Sequence, residues 1–312
     1  MKNLNEILLR RLRMRDLEIL AVIGRTRSLS RTGERMAMTQ PALSKWLREL
    51  EEVVGFALFE RTTRRIAPTR GGEIVLQHAQ RMLGDLQRVS ADLSALQAGL
   101  GGVVRVGAPS AIAAVLLPAA AGQLIDAEPR LQIQLHEGTV DALLRMLQLR
   151  ELDLVIGRLD AEALNAGCHH EHLYDGRVCV AARVRHPLQR RRRLGWKDTL
   201  GFPWIVPPAS SPMHASLEAA FAQAGLGMPA AFMSSASILI NKALAQQSDC
   251  LFVASLHVLQ ELERAEPDAV RHLPLFVPGV APGVGMLWAD DATPGVAVLM
   301  DALRNAARQL AG

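Results

Sequence analysis

The sequence predicts an α/β protein in three parts: a helix-turn-helix with a β-hairpin wing, a long linker helix, and a domain of two α/β halves. Three observations predict this order. A helix with opposite apolar and polar faces follows two shorter helical segments. A heptad pattern runs without proline through residues 70–97, and strand and helix patterns alternate from residue 103 onward. We therefore set the domain boundaries at residues 1–69, 70–102 and 103–312.

The segment TQPALSKWLRELEEVVG, residues 39–55, predicts one compact helix. Thr39 is a residue type that caps a helix start, Pro41 suits the first turn, and Gly55 is a typical stop. At about 100° per residue, the side chains separate into an apolar stripe and a polar stripe. The apolar stripe consists of Leu43, Leu47, Leu50 and Val54. The polar stripe consists of Gln40, Pro41, Ser44, Lys45 and Arg48.

The residues around this helix complete a helix-turn-helix pattern. Apolar spacing predicts a helix over residues 14–23, and Ser28 starts a second helix that ends at a tight Ala37-Met38 connection. After Gly55, two short apolar runs flank a basic tip and predict a β-hairpin wing. The tip carries Arg61, Arg64 and Arg65. Amides and hydroxyls suit base edges, and cations suit phosphates or the minor groove, so the polar stripe and the tip are candidate DNA contacts.

Three motifs follow one another in this region: QPALSKWLRELEE, then LFERT, then PT-x-x-G at Pro68, Thr69 and Gly72. With these motifs, residues 14–73 resemble the winged helix-turn-helix of LysR-type transcriptional regulators. The resemblance implies DNA contacts from the polar stripe, from Thr39 beside it and from the basic tip.

Two positions depart from the family pattern. Thr32 and Gly33 stand where the family usually has two alanines, and we expect Gly33 to loosen its helix by up to ~1 kcal/mol. Trp46 replaces a common polar residue at the border of the apolar stripe. Two interpretations of Trp46 stay open, contact with DNA and packing against the core, and we favour packing.

The charge distribution agrees with a DNA-reading N-terminal region. Residues 1–99 carry 17 Lys and Arg against 11 Asp and Glu, whereas the remaining residues carry 18 against 20.

Other features of the sequence indicate the cellular compartment. The three cysteines lack the spacing of a disulfide framework, which suits a reducing cytosol. The N-terminus lacks an apolar core of signal-peptide length, and both long uncharged stretches, residues 106–125 and 219–241, contain proline, glycine and polar residues. We therefore expect a soluble, cytoplasmic protein.

A heptad seam is predicted in the linker helix, with alternating spacings of four and three residues. It consists of Val75, Ala79, Met82, Leu86, Val89, Leu93 and Leu96. An ordinary amphipathic helix on its own domain is the alternative, but a helix of roughly 40 Å is too long for a small winged domain to cover. We favour pairing in a homodimer or homotetramer, which would place two recognition helices on a pseudo-palindromic operator. Gly99, Gly101 and Gly102 are expected to end the helix and form a hinge.

From residue 103 the pattern is strand, helix, strand, helix, strand, which predicts a parallel sheet with right-handed crossovers. A second α/β half begins at residue 204, and the chain returns through a strand at residues 285–288 before a final helix. Two such halves resemble the periplasmic-binding-protein-like effector domain of the same family. A small-molecule effector is expected between the halves, at the carboxyl ends of strands.

Polar residues follow these strand ends and start the next helices. Ser110 and Thr139 offer hydroxyls beside helix N-termini, a combination that holds carboxylate or phosphate, and Arg158 ends the third strand. The second half contributes Ser210, Ser211, His214, Ser234 and Ser235. Each serine alone is explained equally well as an N-cap. Their convergence favours an anionic or polyhydroxylated effector, with no cofactor.

The stretch PWIVPPASSPMHASLEAAF, residues 203–221, further resembles the subgroup of regulators named after the galactose-binding-protein regulator. Sugars, sugar acids and aromatic acids are effectors in that subgroup. His214 stands where the subgroup often has arginine, so the resemblance leaves the effector class open.

Three further patterns favour ordinary structural roles. Cys168, His170 and His172 share one strand face beside His169, but no second ligand cluster accompanies them, so no metal site is expected. Residues 190–193 form an arginine run typical of a solvated loop. The sequence has no G-x-S-x-G motif or other nucleophile context, so a hydrolytic triad has no support.

These patterns predict a LysR-type transcriptional regulator, not an enzyme, whose promoter binding and DNA bending change when a small effector enters the C-terminal cleft. Two alternatives stay open. An enzymatic or ligand-binding α/β module that uses its winged domain for protein contacts would show no promoter preference. A simple repressor without an effector would show no ligand-induced change in stability.

Overall fold

The computed structural model of this chain describes residues 12–61, 66–97, 99–209, 211–278, 283–289 and 292–311. The chain divides into two compact units. One contains residues up to 103 together with 145–152, and the other contains residues 104–144 together with residues 153 onward. Each unit has apolar cores of its own.

The first unit is a winged helix-turn-helix followed by a long helix. Its elements are α1 (Met14–Thr26), α2 (Leu29–Met36), α3 (Gln40–Val54), β1 (Phe59–Arg61), β2 (Ile66–Pro68) and α4 (Arg70–Gln97). The apolar stripe predicted on α3 is buried in its core, because Leu43 and Leu47 are 0% exposed and Leu50 and Val54 are 8% exposed. The two strands pair antiparallel as the base of the wing.

The predicted helix ends of this unit are confirmed. The Ser28 hydroxyl accepts a hydrogen bond from the Arg31 N–H at the start of α2, and Thr39 accepts one from the Ala42 N–H at the start of α3. Gly55 closes α3 in a left-handed conformation with φ of 90°. These contacts satisfy backbone groups that a helix end leaves free.

The loosening of α2 by Gly33 stays a prediction, but the packing of the turn after α2 requires glycine at this position. A Cβ atom at this position would lie 2.5 Å from the Met38 carbonyl oxygen. The Met38 N–H in turn donates to the Gly33 carbonyl at 2.9 Å. Beside it, the buried Thr32 hydroxyl donates to the Ser28 carbonyl at 2.8 Å. The Thr-Gly pair therefore fixes the turn between α2 and α3.

The junction between the wing and α4 explains the PT-x-x-G motif. The Thr69 hydroxyl donates to the Ala57 and Leu58 carbonyls and accepts from the Gly72 N–H at 3.0 Å. A Cβ on Gly72 would lie 1.9 Å from the Leu58 carbonyl oxygen, a contact that no side chain tolerates. Close backbone packing therefore joins β1 to the first turn of α4.

Helix α4 divides into a docked half and an exposed half. Leu76 and Ala79 are buried in the core of the first unit, with Val75 packed beside them. This corrects the assignment of Ala79 to a seam for a second chain, whereas Val75 is half-buried. The rest of the predicted seam is exposed by 48% to 70%, and it consists of Met82, Leu86, Val89, Leu93 and Leu96.

The second unit has two lobes, each with a five-stranded sheet. The first lobe contains β3 (Gly102–Ala108), α5 (Ser110–Ala127), β4 (Leu131–Glu137), α6 (Val140–Gln148), β5 (Leu154–Arg158), α7 (Ala161–Leu164), β6 (His169–Tyr174), β12 (Val284–Trp288) and α11 (Pro294–Ala311). The first two residues of β3 and the last four of α6 belong to the first unit. The second lobe contains β7 (Val178–Arg183), β8 (Trp204–Val206), α8 (Pro212–Gln223), β9 (Ala231–Ser234), α9 (Ile238–Gln247), β10 (Leu251–Ser255), α10 (Leu256–Ala265) and β11 (Val270–Phe276). Short 3-10 turns cover Pro187–Arg190 and Trp196–Thr199.

Both sheets are mixed, which corrects the prediction of a parallel sheet. The strand orders are β4-β3-β5-β12-β6 and β11-β7-β10-β8-β9. Strands β3 and β5 are parallel, but β12 inserts antiparallel between β5 and β6. In the second sheet, β8, β9 and β10 are parallel while β7 runs antiparallel to β10. The chain crosses between the lobes after β6 and again before β12, so each lobe contains strands from distant parts of the sequence.

Helix α5 is long and apolar enough to cross a membrane by length and composition. In the structure it belongs to the core of the first lobe, where Leu116 and Ala120 are 0% exposed. The core helix of a soluble protein meets the same criteria of length and composition.

Candidate nucleic-acid interface and effector cavity

The polar stripe of α3 is free to meet a partner. Gln40, Pro41, Lys45 and Arg48 are exposed, and Ser44 is half-buried. Lys45 lies 3.8 Å from Glu49, and such an exposed pair is weak. The stripe therefore presents an amide, a hydroxyl and two cations along one helix face, which are the groups that major-groove reading needs.

The N-terminal end of this face also contacts α2. Thr39 is exposed and caps α3, and the Ser30 hydroxyl donates to the Gln40 Oε1 atom at 3.3 Å. Both helices of the helix-turn-helix therefore contribute polar groups next to Gln40.

Trp46 packs against the protein. Its ring lies against the core of the first unit, and its Nε1–H donates to the Asp16 Oδ1 atom at 2.8 Å. The other Asp16 oxygen accepts the Arg13 N–H at 2.8 Å, at the start of α1. Of the two interpretations of Trp46, the structure supports packing.

Glu51 ties the base of the wing to α3. Its Oε1 atom accepts hydrogen bonds from the backbone N–H groups of Leu58 and Phe59, at 2.8 and 3.0 Å. Arg61 is the last residue of β1, and its side chain, like the predicted contacts Arg64 and Arg65, lies outside the described residues.

The second unit contains a cavity of about 200 Å³ lined by residues of both lobes. The first turns of five helices border it. These turns contribute Pro109, Ala111 and Ile112 at α5, Val140 at α6, Ser211 and Met213 at α8, Ser235, Ala236 and Ile238 at α9, and Ser255 and Val258 at α10. Helix N-termini carry partial positive charge and free N–H groups, so their convergence favours an anion.

Arg158 adds a full positive charge to this cavity. It ends β5, and the register places Val284 between Arg158 on β5 and Tyr174 on β6, so that all three line the cavity. Its Nη1 atom donates to the Gly176 carbonyl at 3.3 Å. The charge of Asp160 attracts it, but within the described residues no carboxylate forms a direct ion pair with it. Burial lowers the pKa of Arg158 from its ordinary value and raises the pKa of Tyr174 to about 12.

Two polar atoms in the cavity wall have no hydrogen-bond partner in the described part of the chain. Asn241, on α9, is 5% exposed, and its Oδ1 atom is buried without a donor. Ser255 stands at the N-cap of α10, but its hydroxyl does not cap the helix, and its Oγ atom is buried and unpaired. Native proteins pair most buried polar atoms, so both point to a ligand or water in the cavity.

The structure brings together three of the eight predicted effector residues: Arg158, Ser211 and Ser235 line the cavity. The other described members of the set do not line it. Ser110 is exposed and donates to Glu137, His214 Nδ1 lies 2.8 Å from the Pro207 carbonyl, and Thr139 and Ser234 are exposed. Ser210 lies outside the described residues.

Three residues of the cavity were missed from the sequence: Tyr174, Asn241 and Ser255. Ser255 ends a strand and precedes a helix, so the carboxyl-end rule, applied to β10, could have found it. Tyr174 is the single tyrosine of the chain. The sequence of its strand shows alternating histidines and gives no signal that Tyr174 lines a cavity. Asn241 lies in the second turn of a helix, where the sequence gives no signal.

The histidine-rich strand β6 has structural contacts. His169 stacks on Trp288 with ring centroids 5.7 Å apart, and His172 Nε2 lies 3.0 Å from the Asp175 Oδ1 atom. Among the described residues, no three His, Cys, Asp or Glu side chains form a group that could hold a metal ion.

A helix-turn-helix with an exposed polar face, joined to a two-lobed domain whose cavity is lined by Arg158 and a few other polar side chains, defines a DNA-binding regulator that senses a ligand. The chain belongs to the LysR family of transcriptional regulators. Residues 14–73 match the bacterial regulatory helix-turn-helix proteins of the lysR family, and residues 97–308 match the LysR substrate binding domain. The protein is thus a DNA-binding transcriptional regulator with an effector-binding domain, and not an enzyme.

Two curated relatives are similar over most of the chain. The transcriptional regulator GalR of Pseudomonas putida is 31% identical over 294 residues, which cover 93% of this chain and 73% of GalR. The transcriptional regulator GbpR of Azospirillum brasilense is 30% identical over 306 residues, which cover 97% of this chain and 89% of GbpR. The expected LysR-type recognition is therefore confirmed.

Solved structures share the fold along the whole chain. A full-length variant of OxyR from Pseudomonas aeruginosa matches with a TM-score of 0.61 and 21% identity, covering 94% of this chain and 95% of OxyR. DarR of Vibrio fischeri, solved in complex with DNA, matches with a TM-score of 0.56 and 18% identity, covering 95% of this chain and 99% of DarR. The predicted architecture is confirmed: a winged helix-turn-helix, a linker helix and a periplasmic-binding-protein-like domain.

Proposed function

We propose that Gln40, Pro41, Ser44 and Lys45 read base edges in the major groove, with Thr39 and Arg48 on the flanking phosphates. The exposure of this helix face supports the assignment, because the internal contacts of its side chains, from Ser30 to Gln40 and from Lys45 to Glu49, lie at the surface and are weak. The wing arginines Arg61, Arg64 and Arg65 contact phosphates or the minor groove.

The regulator acts as a homodimer, or a dimer of dimers, that pairs through the exposed half of α4. The five exposed apolar side chains from Met82 to Leu96 support this arrangement, because each is about half exposed and they share one heptad seam. Two copies then bind two half-sites of a pseudo-palindromic operator.

The effector is a small anion that binds in the cavity of the second unit. The observation that carries this proposal is Arg158, a half-buried cation without a direct ion-pair partner among the described residues, in a cavity bordered by five helix N-termini. A bound anion that favours one arrangement of the two lobes shifts the population of that arrangement, and DNA bending changes with it. The protein performs this function in the cytoplasm, and the domain boundaries near residues 70 and 103 separate DNA reading, pairing and sensing.

A melting-temperature screen of the purified protein tests the effector proposal. The compounds are sugars, sugar acids, aromatic acids and inorganic anions, each applied to the wild type, to Arg158→Met and to Ser110→Ala. A ligand at 100 times its dissociation constant stabilises the native state by about 2.7 kcal/mol, which gives a measurable shift. We expect anions to raise the melting temperature of the wild type and of Ser110→Ala, since Ser110 lies outside the cavity, but not of Arg158→Met. A ligand whose effect survives Arg158→Met would refute the assignment of the site.

A further inference from the structure

We propose that the arginine run of the second lobe, residues 190–193, is a second DNA-binding surface that contacts the phosphate backbone of a duplex. From its sequence alone, the run is expected to be a solvated loop. The inference goes beyond the proposed function, which places every DNA contact in the helix-turn-helix and its wing. It does not depend on which effector binds in the cavity.

The positive charge of the effector domain is concentrated around this run. Residues 183–198 contain seven Lys and Arg and one Asp, a net charge of +6. Residues 100–312 contain 18 Lys and Arg against 20 Asp and Glu, so the rest of that range has 11 against 19, a net charge of −8. Charges that serve solubility alone are interspersed over a surface, whereas a basic segment in an otherwise acidic domain attracts a polyanion locally.

The backbone of the run is tied to the folded lobe at both ends. The 3-10 turn before it contains Leu188, which is 2% exposed, and the His186 Nδ1 atom accepts the Leu188 N–H at 3.1 Å. The Gln189 side-chain amide donates to the Arg271 carbonyl at 3.1 Å, on the edge strand β11. After the run, Leu194 packs against the core of the lobe. These contacts order the loop before a partner arrives, which reduces the entropy that binding must remove.

Three of the four arginines have no ion-pair partner in the part of the chain that the structure describes. Arg191 forms an ion pair with Asp198, the single carboxylate of residues 183–198. Arg190, Arg192 and Arg193 are exposed, and no described carboxylate forms an ion pair with them. Four consecutive residues span at most about 11 Å, over which duplex DNA carries roughly six phosphates. Because a guanidinium donates two parallel hydrogen bonds to one phosphate, the run can contact several phosphates at once.

The surroundings of the run favour duplex DNA over other polyanions. No large apolar side chain of residues 183–198 is exposed, and the half-buried Trp196 packs edge-on against Phe221 with ring centroids 5.0 Å apart. A protein partner is held by aromatic or apolar anchors, and a single strand is held by aromatic rings that stack on its bases. The backbone of a duplex requires only cations, which are the groups that this segment exposes.

The test measures binding of the full-length protein to duplex DNA by fluorescence anisotropy as the salt concentration rises. The variant combines Arg190→Gln, Arg192→Gln and Arg193→Gln. The duplex extends by about two helical turns, roughly 20 base pairs, on each side of a site that the wild type selects from a random pool. Each lost phosphate contact lowers the salt slope by about 0.9. Between about 50 and 200 mM salt, the wild type should therefore lose about 3- to 40-fold more affinity than the variant, for one to three contacts.

Two control variants separate a phosphate contact from a general effect of charge. The first removes three exposed arginines elsewhere in the second unit, by Arg130→Gln, Arg264→Gln and Arg308→Gln. It changes the net charge equally but should keep the wild-type salt slope, because charges more than about 10 Å from the DNA are screened at 0.1 M salt. The second replaces the same three arginines of the run by lysine, which keeps the charge and should also keep the slope.

A further measurement uses a scrambled duplex of the same length. Because phosphates carry no sequence information, the glutamine variant of the run should lose the same fold of affinity on this duplex as on the selected one. A loss confined to the selected duplex would overturn the assignment to the DNA backbone.

The other results that would overturn the proposal concern the salt slope. An unchanged slope in the glutamine variant of the run refutes the DNA contact, and it is the result expected if the run binds an acidic protein instead. Equal changes in this variant and in the first control would show an effect of net charge and not of the run. A slope that is also lost in the lysine variant would refute phosphate neutralisation as the cause.

Discussion

The two functional regions of this regulator are built in opposite ways. The DNA-reading face is one exposed helix surface, whose groups Gln40, Lys45 and Arg48 point away from the core. The effector cavity collects residues from the ends of strands and the starts of helices that are more than 100 positions apart, such as Pro109 and Ser255. Its polar atoms are buried, whereas those of α3 are solvated.

Because of this difference, we expect substitutions in the two regions to have different effects on binding and on folding stability. An exposed side chain on α3 has water as its alternative partner, so its removal should change DNA affinity with little effect on folding. The buried Oδ1 atom of Asn241 already lacks a partner among the described residues, so its removal can relieve a penalty in the free protein. Loss of the ligand and gain of stability are then expected to occur together in the cavity.

The largest expected effect on folding is a substitution that disturbs the packing of the DNA-reading region away from its polar face. Gly72→Ala forces a Cβ to within 1.9 Å of the Leu58 carbonyl oxygen, so the wing must move away from α4. We expect a loss of about 1–3 kcal/mol in the free energy of unfolding, measured by chemical denaturation, and a loss of DNA binding.

Gly122→Ala is the matched control for this substitution. Gly122 lies within α5, and a Cβ there meets no atom within 4 Å. Because alanine is the better helix former, we expect a gain of up to about 1 kcal/mol. A loss at Gly122 equal to that at Gly72 would contradict the role of close backbone packing.

Pairing of the linker helices is tested by the double variant Leu86→Glu with Leu93→Glu. The two side chains are 49% and 57% exposed and lie one heptad apart, so both would be buried in a dimer. Sedimentation equilibrium should show a dimer dissociation constant raised by more than about 100-fold, given about 1.5–3 kcal/mol for each buried leucine. Leu164→Glu changes a leucine on α7 that is 44% exposed and should leave the dimer intact. An unchanged dimer in the double variant would refute the seam.

A smaller effect is expected for an ion pair of the effector domain, away from the cavity. Arg304 donates to both carboxylate oxygens of Glu171 at 2.7 Å, and these hydrogen bonds lower the pKa of Glu171. The unfolded chain therefore binds more protons than the folded chain, and stability rises with pH. The contribution is fully present above the unfolded pKa of about 4.3 and is lost as the pH falls through the lower folded pKa.

Glu171→Gln isolates this contribution. Denaturant unfolding near pH 6 should show a loss of at most about 1 kcal/mol, because both side chains are about one-third exposed. The loss should shrink as the pH is lowered below about 4. A difference that grows in acid would contradict the direction of the pKa shift.

The DNA-reading region could be predicted almost completely from the sequence, because its pattern is local. Caps at Ser28 and Thr39 and the stripe from Leu43 to Val54 all act within a few residues. The packing requirement at Gly33 was missed, because helix propensity does not show the Met38 carbonyl that approaches it. The length of the exposed heptad seam on α4 was overestimated for the same reason. The spacing of Val75 and Ala79 does not show that they pack on the core of their own unit.

The cavity could be predicted only in part. The rule that ligands bind at carboxyl ends of strands found Arg158, Ser211 and Ser235. It also gave Ser110 and Thr139, which are exposed and do not line the cavity. The helices that follow these two positions do border the cavity with their first turns. The antiparallel insertion of β12, which places Val284 between Arg158 and Tyr174, depends on pairing between distant segments that no local pattern shows.

The most direct test of the account is the salt dependence of DNA binding, measured by fluorescence anisotropy. The duplexes are one selected by the wild type from a random pool and one scrambled sequence, and the proteins are the wild type, Gln40→Ala and Arg48→Ala. Arg48→Ala should weaken binding to both duplexes alike and reduce the salt slope by about one, because it removes a phosphate contact. Gln40→Ala should leave the scrambled duplex unaffected and lose about 1–3 kcal/mol on the selected one. Equal losses on both duplexes for both variants would contradict the division of α3 into base-reading and phosphate-binding residues.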